Sequence, residues 1–442
     1  MINHSQRGVA TLLLTSILLS VALVVTLGMY KHLFFQIKRA QNEVKAKQQF
    51  WRAEGGLECV YSLTQTQRVL PSATSYVDCP DVAFGYHTPA PGQLAVTATY
   101  GYSQLSKTIR YPAPASGVLK ATSNLYFAGG LAMRPDPGLS LGESQWGCTM
   151  LRYSQDFLVN GALKNDGLLN SDLPYEGYPL GQSCHPDYLT ELTATGASTP
   201  TGLKRDFVKD SGQTPFEDLF GAPRSDWFEV MADRHFQKIA NESLVDGNGQ
   251  MLMDQSALPT PEIVSDCGDK IAQQISAGHD LLWIYGSCHM DGDDLEAVST
   301  AIDGASSTLD GVILVVHNGL LSTHGSLTFK GMIYHFISAA DDGSPDFTPS
   351  EDAWKSLNTT QTTNLAGVVD HDPDVVPAVS VSNTAYFQNG AFFPTGGYVM
   401  DAPGTYAVFT ASMNFTFNRD AIEVPLNKIR QFKWQQGSWH GQ

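Results

Sequence analysis

The strongest constraint on the fold is an uncharged run of residues near the amino terminus. The sequence VATLLLTSILLSVALVVTLGMY, from Val9 to Tyr30, contains no Asp, Glu, Lys or Arg. As an α-helix with a rise of 1.5 Å per residue, this run would extend about 33 Å, and the hydrocarbon core of a bilayer is roughly 30 Å thick. The run therefore predicts a helix that spans a membrane or is enclosed by other apolar helices.

A short leader precedes this run. Residues 1–8, MINHSQRG, carry one arginine and end in Gly8. A secretory signal peptide has a shorter apolar region that is followed by a small-residue cleavage site, whereas here the small residue lies before the apolar run. Cleavage between Gly8 and Val9 would leave the whole helix on the mature protein.

The helix is predicted to continue beyond the membrane. No proline occurs between Lys31 and Tyr61, and apolar residues recur there at spacings of three, four or seven. We therefore expect one helix over 9–62, with its transmembrane part at 9–30. The outer half has an apolar face that can pack on a globular domain, while its other face can meet neighbouring subunits. An ordinary signal anchor followed by a helical stalk is the alternative.

Two segments together resemble the PilX-type minor pilins of type IV pili. The first is QRGVATLLLTSILLS at the start of the helix, and the second is FWRAEGGLEC, further along the chain. Members of that family have a Gly-ended leader, an apolar helix and then an Ala-Glu-small-Gly-Leu stretch. The residues that match this stretch are Ala53, Glu54, Gly55, Gly56 and Leu57. The resemblance covers the leader and the helix.

The resemblance implies a subunit of an extracellular filament. A prepilin peptidase would cleave after Gly8, and the new terminus at Val9 would be methylated, although the family usually has Phe or Met there. Leu13 would be the fifth mature residue, where major pilins carry a Glu that pairs with the terminal amine of a neighbouring subunit. Because Leu13 cannot form this pair, the resemblance implies few copies, a place at the pilus tip and a role in starting assembly. The implied partners are other minor and major pilins, and the inner membrane holds the protein before assembly, with its head in the periplasm.

The rest of the chain predicts an α+β protein with a large, mostly β head. Residues 63–115 are expected to form a first β region packed on the helix, and residues 116–442 the exported head, mixed α/β over 150–310 and β-rich over 310–442. Short apolar runs punctuated by glycine favour a stacked sheet or a short β-solenoid, with an antiparallel sandwich as the alternative. Helices are expected over 225–241, 266–276 and 293–302, and a long exposed loop over 338–376.

The six cysteines form an even set within the part of the chain that is predicted to be exported. An oxidising compartment favours disulfides, and the simplest pairing joins neighbours in the sequence, although six cysteines allow 15 pairings. The expected pairs are Cys59 with Cys79, Cys148 with Cys184, and Cys267 with Cys288. Buried free thiols are the alternative, and zinc is disfavoured because no Cys-x-x-Cys spacing occurs.

The sequence contains neither a His-Glu-x-x-His motif nor a Walker loop, which are two of the common motifs for catalysis. We therefore do not expect an enzyme. Calcium is the one cofactor that the sequence suggests, because acidic residues cluster just after Cys288, and calcium requires several oxygen ligands. The candidate ligands are Asp291, Asp293, Asp294 and Glu296.

Charge limits the partners of the head. The net charge is −17 and few Lys or Arg residues follow residue 120, which argues against binding of nucleic acid or an anionic membrane by the head. Two functions fit the sequence. One is a minor pilin at the tip of a type IV pilus, whose head binds a surface receptor, and the other is a membrane-anchored periplasmic enzyme or binding protein that does not join a filament.

Overall fold

The structure, a computed structural model, describes residues 6–71, 79, 82–90, 92–112, 117–142, 144–168, 181–248, 250–305, 309–370 and 378–441. The predicted α+β class is confirmed, because a long amino-terminal helix is followed by a β-rich remainder that contains further helices. The chain divides into two compact units. Unit 1 comprises Met1–Tyr111 and Phe432–Gln442, and unit 2 comprises Pro112–Gln431.

The elements are numbered in chain order. The α-helices are α1 (Gln6–Gln67), α2 (Pro215–Phe220), α3 (Trp227–Ala232), α4 (Cys267–Ser276), α5 (Gly292–Gly304), α6 (Glu351–Leu357), α7 (Thr359–Val369) and α8 (Asp420–Ile429). The strands are β1 (Ala83–Ala90), β2 (Gln93–Tyr100), β3 (Ser103–Arg110), β4 (Leu119–Ala121), β5 (Asn124–Phe127), β6 (Leu131–Arg134), β7 (Ser140–Gly142), β8 (Gln145–Trp146), β9 (Leu151–Tyr153), β10 (Phe157–Asn165), β11 (Ser183–Cys184), β12 (Glu191–Ser198), β13 (Phe207–Lys209), β14 (Gln237–Ala240), β15 (Leu281–Tyr285), β16 (Cys288–Met290), β17 (Val312–His317), β18 (Leu321–His324), β19 (Leu327–Phe329), β20 (Gly331–Phe336), β21 (Thr384–Asn389), β22 (Phe392–Pro394), β23 (Tyr398–Asp401), β24 (Tyr406–Phe409), β25 (Met413–Thr416), β26 (Lys433–Trp434) and β27 (His440–Gly441).

Unit 1 consists of the helix α1 packed on an antiparallel sheet. The sheet has the order β1-β2-β3-β26, and β27 also pairs with β3. Buried and partly exposed residues alternate along β2, as expected for a strand with one face on a helix. On the helix side, Ala53, Leu57 and Val60 are fully buried in the same core.

The carboxyl-terminal segment belongs to unit 1, although the sequence analysis assigned it to the head. Both β26 and β27 pair with β3, and Phe432 is buried in the core of unit 1. The rings of Tyr61 and Trp434 stack with 4.6 Å between their centroids. The sequence did not predict this return because strands of two residues are too short to show an alternating pattern.

Unit 2 is a parallel β-solenoid, so its strands are stacked rather than arranged as an antiparallel sandwich. Its two large sheets are sheet 1, with the order β13-β9-β4-β23-β20-β17-β15-β14, and sheet 2, with the order β16-β18-β21-β24-β5-β10-β6-β25. Two smaller sheets have the orders β11-β8-β7 and β19-β22. Neighbouring strands in the series given for sheets 1 and 2 are parallel. Six of the sheet 1 strands, β4, β9, β15, β17, β20 and β23, are each followed in the chain by a strand of sheet 2, as β17 is by β18. All residues of β17 are buried, which is typical of a parallel strand covered on both faces.

The coils are stacked in an order that is circularly permuted relative to the sequence. From one end of sheet 1 to the other, the strands are β14, β15, β17, β20, β23, β4, β9 and β13. The chain enters at β4, continues through β9 to β13, and then crosses to β14 at the opposite end. From there it winds back until β23 lies beside β4. The first and last coils are therefore neighbours within the stack.

The segment between β13 and β14 crosses the outer face of sheet 1. Its aromatic rings pack on strands of three successive coils, namely Phe216 on Phe336, Phe220 on Trp283 and Trp227 on His317, with centroid distances of 5.3, 6.5 and 4.3 Å. In the same segment, Arg224 Nε donates to the buried carboxylate of Asp401, in β23, at 3.2 Å. These contacts cover the outer face of sheet 1 along the path that joins its two ends.

Two of the three predicted helices in unit 2 are confirmed as α4 and α5. The helix predicted over 225–241 is only partly correct, because α3 ends at Ala232 and β14 then pairs in parallel with β15. The exposed loop predicted over 338–376 is only partly correct, because residues 338–350 contain no helix or strand but α6 and α7 follow, and residues 371–376 lie outside the described residues. These helices bury Trp354 and Leu365 against the outer face of sheet 2. In both places, tertiary packing decides the local structure more strongly than the short sequence pattern does.

Candidate functional site: the amino-terminal helix

The first half of α1 exposes its apolar side chains on all sides. Val9, Leu13 and Tyr30 have exposed fractions of 68, 58 and 73%. The helix contains an apolar window with a mean hydropathy of 2.4, none of which is buried in the structure. By its length and composition, α1 could cross a membrane. So much exposed apolar surface is unstable in water and needs lipid or protein to cover it.

The residues predicted for processing lie at the start of this exposed half. Gly8 and Val9 fall in the first turns of α1, which begins at Gln6, while Met1 to Ser5 lie outside the described residues. Leu13 lies one turn further along. Cleavage after Gly8 stays a prediction, as does the place at the pilus tip that was inferred from Leu13.

The second half of α1 is held on the sheet by the AEGGLE stretch. Ala53 and Leu57 are fully buried against it. A Cβ added to Gly56 would lie 3.0 Å from Val82 Cγ1, so a glycine allows the helix to approach the segment before β1 closely. Gly55, the next residue towards the amino terminus, is exposed, and a Cβ there would meet nothing within 4 Å. The two adjacent glycines therefore have different surroundings.

The two glutamates of the motif bind one lysine on the sheet. Lys107 Nζ, on β3, donates to Glu54 Oε1 at 2.6 Å and to Glu58 Oε1 at 2.8 Å. Burial of Lys107 opposes its charged form, but the hydrogen bonds and charges of the two glutamates outweigh that effect and raise the pKa of Lys107. The ammonium also lies 5.2 Å from the ring centroid of Trp434. These contacts fix the rotation of α1 about its axis.

The face of α1 opposite the sheet carries an exposed apolar stripe, which we call the outward stripe. Its residues follow one another at helical spacings of three, four or seven, so they project from the same face. The stripe consists of Leu33, Ile37, Ala40, Val44, Trp51 and Gly55. The exposed fractions of Val44 and Trp51 are 55 and 68%. The stripe continues the apolar surface of the first half along the part of the helix that is docked on the sheet, and Gly55 would let another helix approach closely.

All three predicted disulfides are confirmed. They join Cys59 to Cys79, Cys148 to Cys184, and Cys267 to Cys288. The first holds the end of α1 to the segment that leads into β1, and the third joins α4 to β16. The alternatives of free thiols and a zinc site are therefore wrong for these cysteines.

The predicted calcium site is not formed. Asp291 is the N-cap of α5, and its Oδ1 accepts hydrogen bonds from the backbone N–H groups of Asp293 and Asp294 at 3.0 and 3.1 Å. Asp294 Oδ2 accepts from the N–H of Asp291, so the pair forms a capping box. Glu296 is exposed on the following turn. Across the described ranges, no group of three or more His, Cys, Asp or Glu residues could hold a metal ion.

Sequence reasoning missed the residues on the sheet that receive the helix. Lys107 lies in an alternating strand pattern that does not reveal its partners, since Glu54 is 53 positions away. Trp434 and Trp439 offered the only signal, because two tryptophans in a polar carboxyl-terminal segment indicate that the segment is packed on something. Trp439 indeed contacts the ring of Phe50 on α1, with 6.1 Å between centroids.

Neither a protein-family model, a curated protein nor a solved structure was found to match the chain.

Proposed function

We propose that this chain is a minor pilin that occupies the tip of a type IV pilus and helps to start its assembly. The observation that carries the proposal is the division of α1 into two halves. One half is apolar and exposed on every side, and the other is docked on an antiparallel sheet by the AEGGLE stretch. A helix of this kind can rest in the inner membrane and then move into the core of a filament without changing its own fold.

The outward stripe supports packing against other subunits. In a simple membrane anchor, only the part of the helix inside the bilayer needs apolar exposed residues. Here the apolar surface extends to Trp51 and Gly55, on the part of α1 that is docked on the sheet. A neighbouring pilin helix would cover this surface, and Trp is a residue that often dominates the binding energy at such contacts. The implied partners are other minor and major pilins.

Two features support a place at the tip. Leu13 is apolar and therefore cannot pair with the terminal amine of a neighbouring subunit, and leaving that amine unpaired in an apolar core would cost several kcal/mol. Unit 2, Pro112–Gln431, is also large for a subunit repeated along a helical lattice. At a tip both features are tolerated, and the acidic solenoid is free to contact a surface outside the filament. The role is structural rather than catalytic.

Cleavage at Gly8 is the most direct test. In a Gly8→Leu variant, the bulky residue next to the cleaved bond should leave the full-length chain in the inner membrane. Gly28→Leu is the matched control, because a Cβ at Gly28 meets nothing within 4 Å, and this variant should be processed normally. Mass spectrometry of the wild-type protein should give a chain that begins at Val9. A mature protein that begins beyond Tyr30 would refute the proposal.

The position in the filament needs a separate measurement. Gold-labelled antibody against unit 2 should mark pilus ends, and deletion of the gene should remove surface pili. Labelling spread evenly along the shafts, or normal piliation and normal pilus function in the deletion strain, would contradict a tip role. A cleaved protein that is never found in sheared pili would favour the membrane-anchored alternative.

A further inference from the structure

We propose that unit 2 is an insertion in one hairpin of a self-sufficient pilin-like unit, and that unit 1 alone carries the contacts that build the filament. This inference rests on the proposed function and divides it between the two units. It assigns the binding of other pilins to unit 1 and leaves unit 2 dispensable for assembly.

The junction has the geometry of an ordinary β-hairpin. Arg110 at the end of β3 lies directly opposite Lys433 in β26, and Ile109 lies opposite Trp434. The whole of unit 2 therefore occupies the place of the turn between these two strands. Antiparallel neighbours need only a two-residue turn to connect them.

Unit 1 has a core of its own. Ala53, Leu57 and Val60 of α1 pack with the inner residues of β2 and β3 and with Phe432, and every member of this group belongs to unit 1. The Lys107 hydrogen bonds to Glu54 and the Cys59–Cys79 disulfide also lie wholly within it. None of the contacts that define the docking of the helix requires unit 2.

The permuted order of the coils is what allows a solenoid to be inserted in a hairpin. In a solenoid wound in simple sequence order, the two chain ends lie at opposite ends of the stack. For eight strands in sheet 1, at about 4.8 Å per spacing, that separation would be roughly 34 Å. Here the entering strand β4 pairs directly with β23 of the last coil, so the ends of unit 2 leave from neighbouring coils. Close ends are what a domain needs to be inserted in a turn.

A hydrogen bond also joins the first coil of unit 2 to the last coil. Tyr398 N–H donates to the carbonyl of Val118 at 3.0 Å, so the residue just before β4 is bonded to the start of β23. A Cβ on Gly397 would lie 2.2 Å from the same Val118 oxygen and 3.3 Å from a ring carbon of Phe417. Val118, just before the first strand of unit 2, and Phe417, just after the last strand, therefore both lie beside Gly397.

The test is a chain in which residues 112–431 are replaced by an Asn-Gly turn between Tyr111 and Phe432. A second version carries a longer Gly-Ser linker at the same junction, so that a strained turn is not mistaken for an unstable unit. The matched control keeps unit 2 and ends at Gln431, which removes β26 and β27. Each chain is expressed in a strain that lacks the gene, beside the full-length chain. The measurements are the Cys59–Cys79 disulfide by mass spectrometry, resistance to protease, and the number of surface pili.

We expect the shortened chains to form the disulfide, to resist protease and to restore pili to the level given by the full-length chain. The control should lose protease resistance in unit 1 only. If neither linker gives a folded, oxidised unit 1, or if the shortened chain folds but restores no pili while the full-length chain does, the inference is wrong and the minor-pilin proposal stands. If the full-length chain itself restores no pili, the proposed function fails, and the folding measurements still decide whether unit 1 is self-sufficient.

Discussion

Two adjacent glycines in α1 show how differently the same residue type is used on two faces of one helix. Gly56 faces the sheet and leaves room for Val82, whereas Gly55 faces away and has open space around it. Glycine within a helix costs about 1 kcal/mol relative to alanine. At Gly56 the close packing on Val82 accounts for this cost, and at Gly55 the proposed contact with a neighbouring subunit would account for it.

This difference gives a matched pair of substitutions. Gly56→Leu should destabilise unit 1 by about 1 to 3 kcal/mol, because the new side chain has to displace Val82 or lift the helix off the sheet. Gly55→Leu should leave the stability of the isolated protein unchanged or raise it by up to about 0.8 kcal/mol, through helix propensity. Urea unfolding of the purified chains in detergent measures both changes. Equal losses in the two variants would show that the faces are assigned wrongly.

A buried histidine makes the stability of unit 2 depend on pH. His335 lies inside the solenoid, where Nε2 donates to the carbonyl of Gly319 at 2.8 Å, and burial lowers the pKa of His335 to about 4. Its ordinary pKa is about 6.5, so between pH 6.5 and 4 the unfolded chain binds a proton that the folded chain does not. The folded state is therefore fully favoured above pH 6.5 and loses stability as the pH falls towards 4.

The expected size of this effect follows from the shift. Between pH 7.5 and 5.5, His335 alone should lower the free energy of unfolding by about 1.4 kcal/mol. His335→Gln keeps a donor for the Gly319 carbonyl but has no titrating group. Its free energy of unfolding should fall less over this pH range than that of the wild type, by that amount. Identical pH profiles for the two proteins would show that His335 titrates normally in the folded state.

At the scale of single elements, the glycines at the corners between strands of a coil leave no room for a larger residue. Glycines of successive coils stack at these corners, and a Cβ on Gly319 would lie 2.1 Å from the carbonyl carbon of Gly286 in the coil below it. Backbone cannot move aside as the end of a side chain can. The glycine punctuation seen in the sequence thus has a steric cause.

A substitution at one corner tests this explanation. Gly319→Ala should destabilise unit 2 by about 3 kcal/mol, because the corner must open and the pairing of β17 and β18 with their neighbours is disturbed. Gly304→Ala is the control, since a Cβ at the end of α5 meets nothing within 4 Å and should be neutral or slightly stabilising. Thermal unfolding followed by circular dichroism compares the two. A neutral Gly319→Ala would mean that the coils are less tightly stacked than described.

Elements with a long or repeated pattern were predictable, and those that depend on distant partners were not. The uncharged run and the absence of proline predicted α1, and neighbouring cysteines predicted the three disulfides. The glycine-punctuated runs suggested stacked strands but not their order, because Ser123 and Met400, which are hydrogen-bonded at 3.0 Å, are 277 positions apart. The acidic cluster after Cys288 was misread because an N-cap and a calcium ligand use the same residue type.

At the scale of the whole molecule, the two units have separate cores and separate disulfides. Cys59–Cys79 lies in unit 1, while Cys148–Cys184 and Cys267–Cys288 lie in unit 2. Each unit therefore has its own source of stability. A change confined to one core is not expected to alter the other.

Calorimetry of the full chain in detergent should accordingly show two unfolding transitions, of which the larger belongs to unit 2. Replacing Cys59 and Cys79 by serine should lower only the smaller transition, because a loop with a sequence separation of 20 then opens, at a cost of about 3 kcal/mol. Replacing Cys267 and Cys288 should lower only the larger one. A single transition that both pairs shift equally would show that the units unfold together.

If the proposed function is right and the head is exported, the permuted order of the coils also sets the timing of its folding. If the head crosses the membrane from its amino-terminal end, β4 and β5 reach the periplasm long before β23 and β24, which cover their open edges. Until those strands arrive, the edges can pair with other chains. Pairing between strands so far apart in the sequence is also slow. We therefore expect the pairing of β23 with β4 and of β24 with β5 to be the late step of folding. A chain halted before β23 should be the species most exposed to aggregation and to periplasmic proteases.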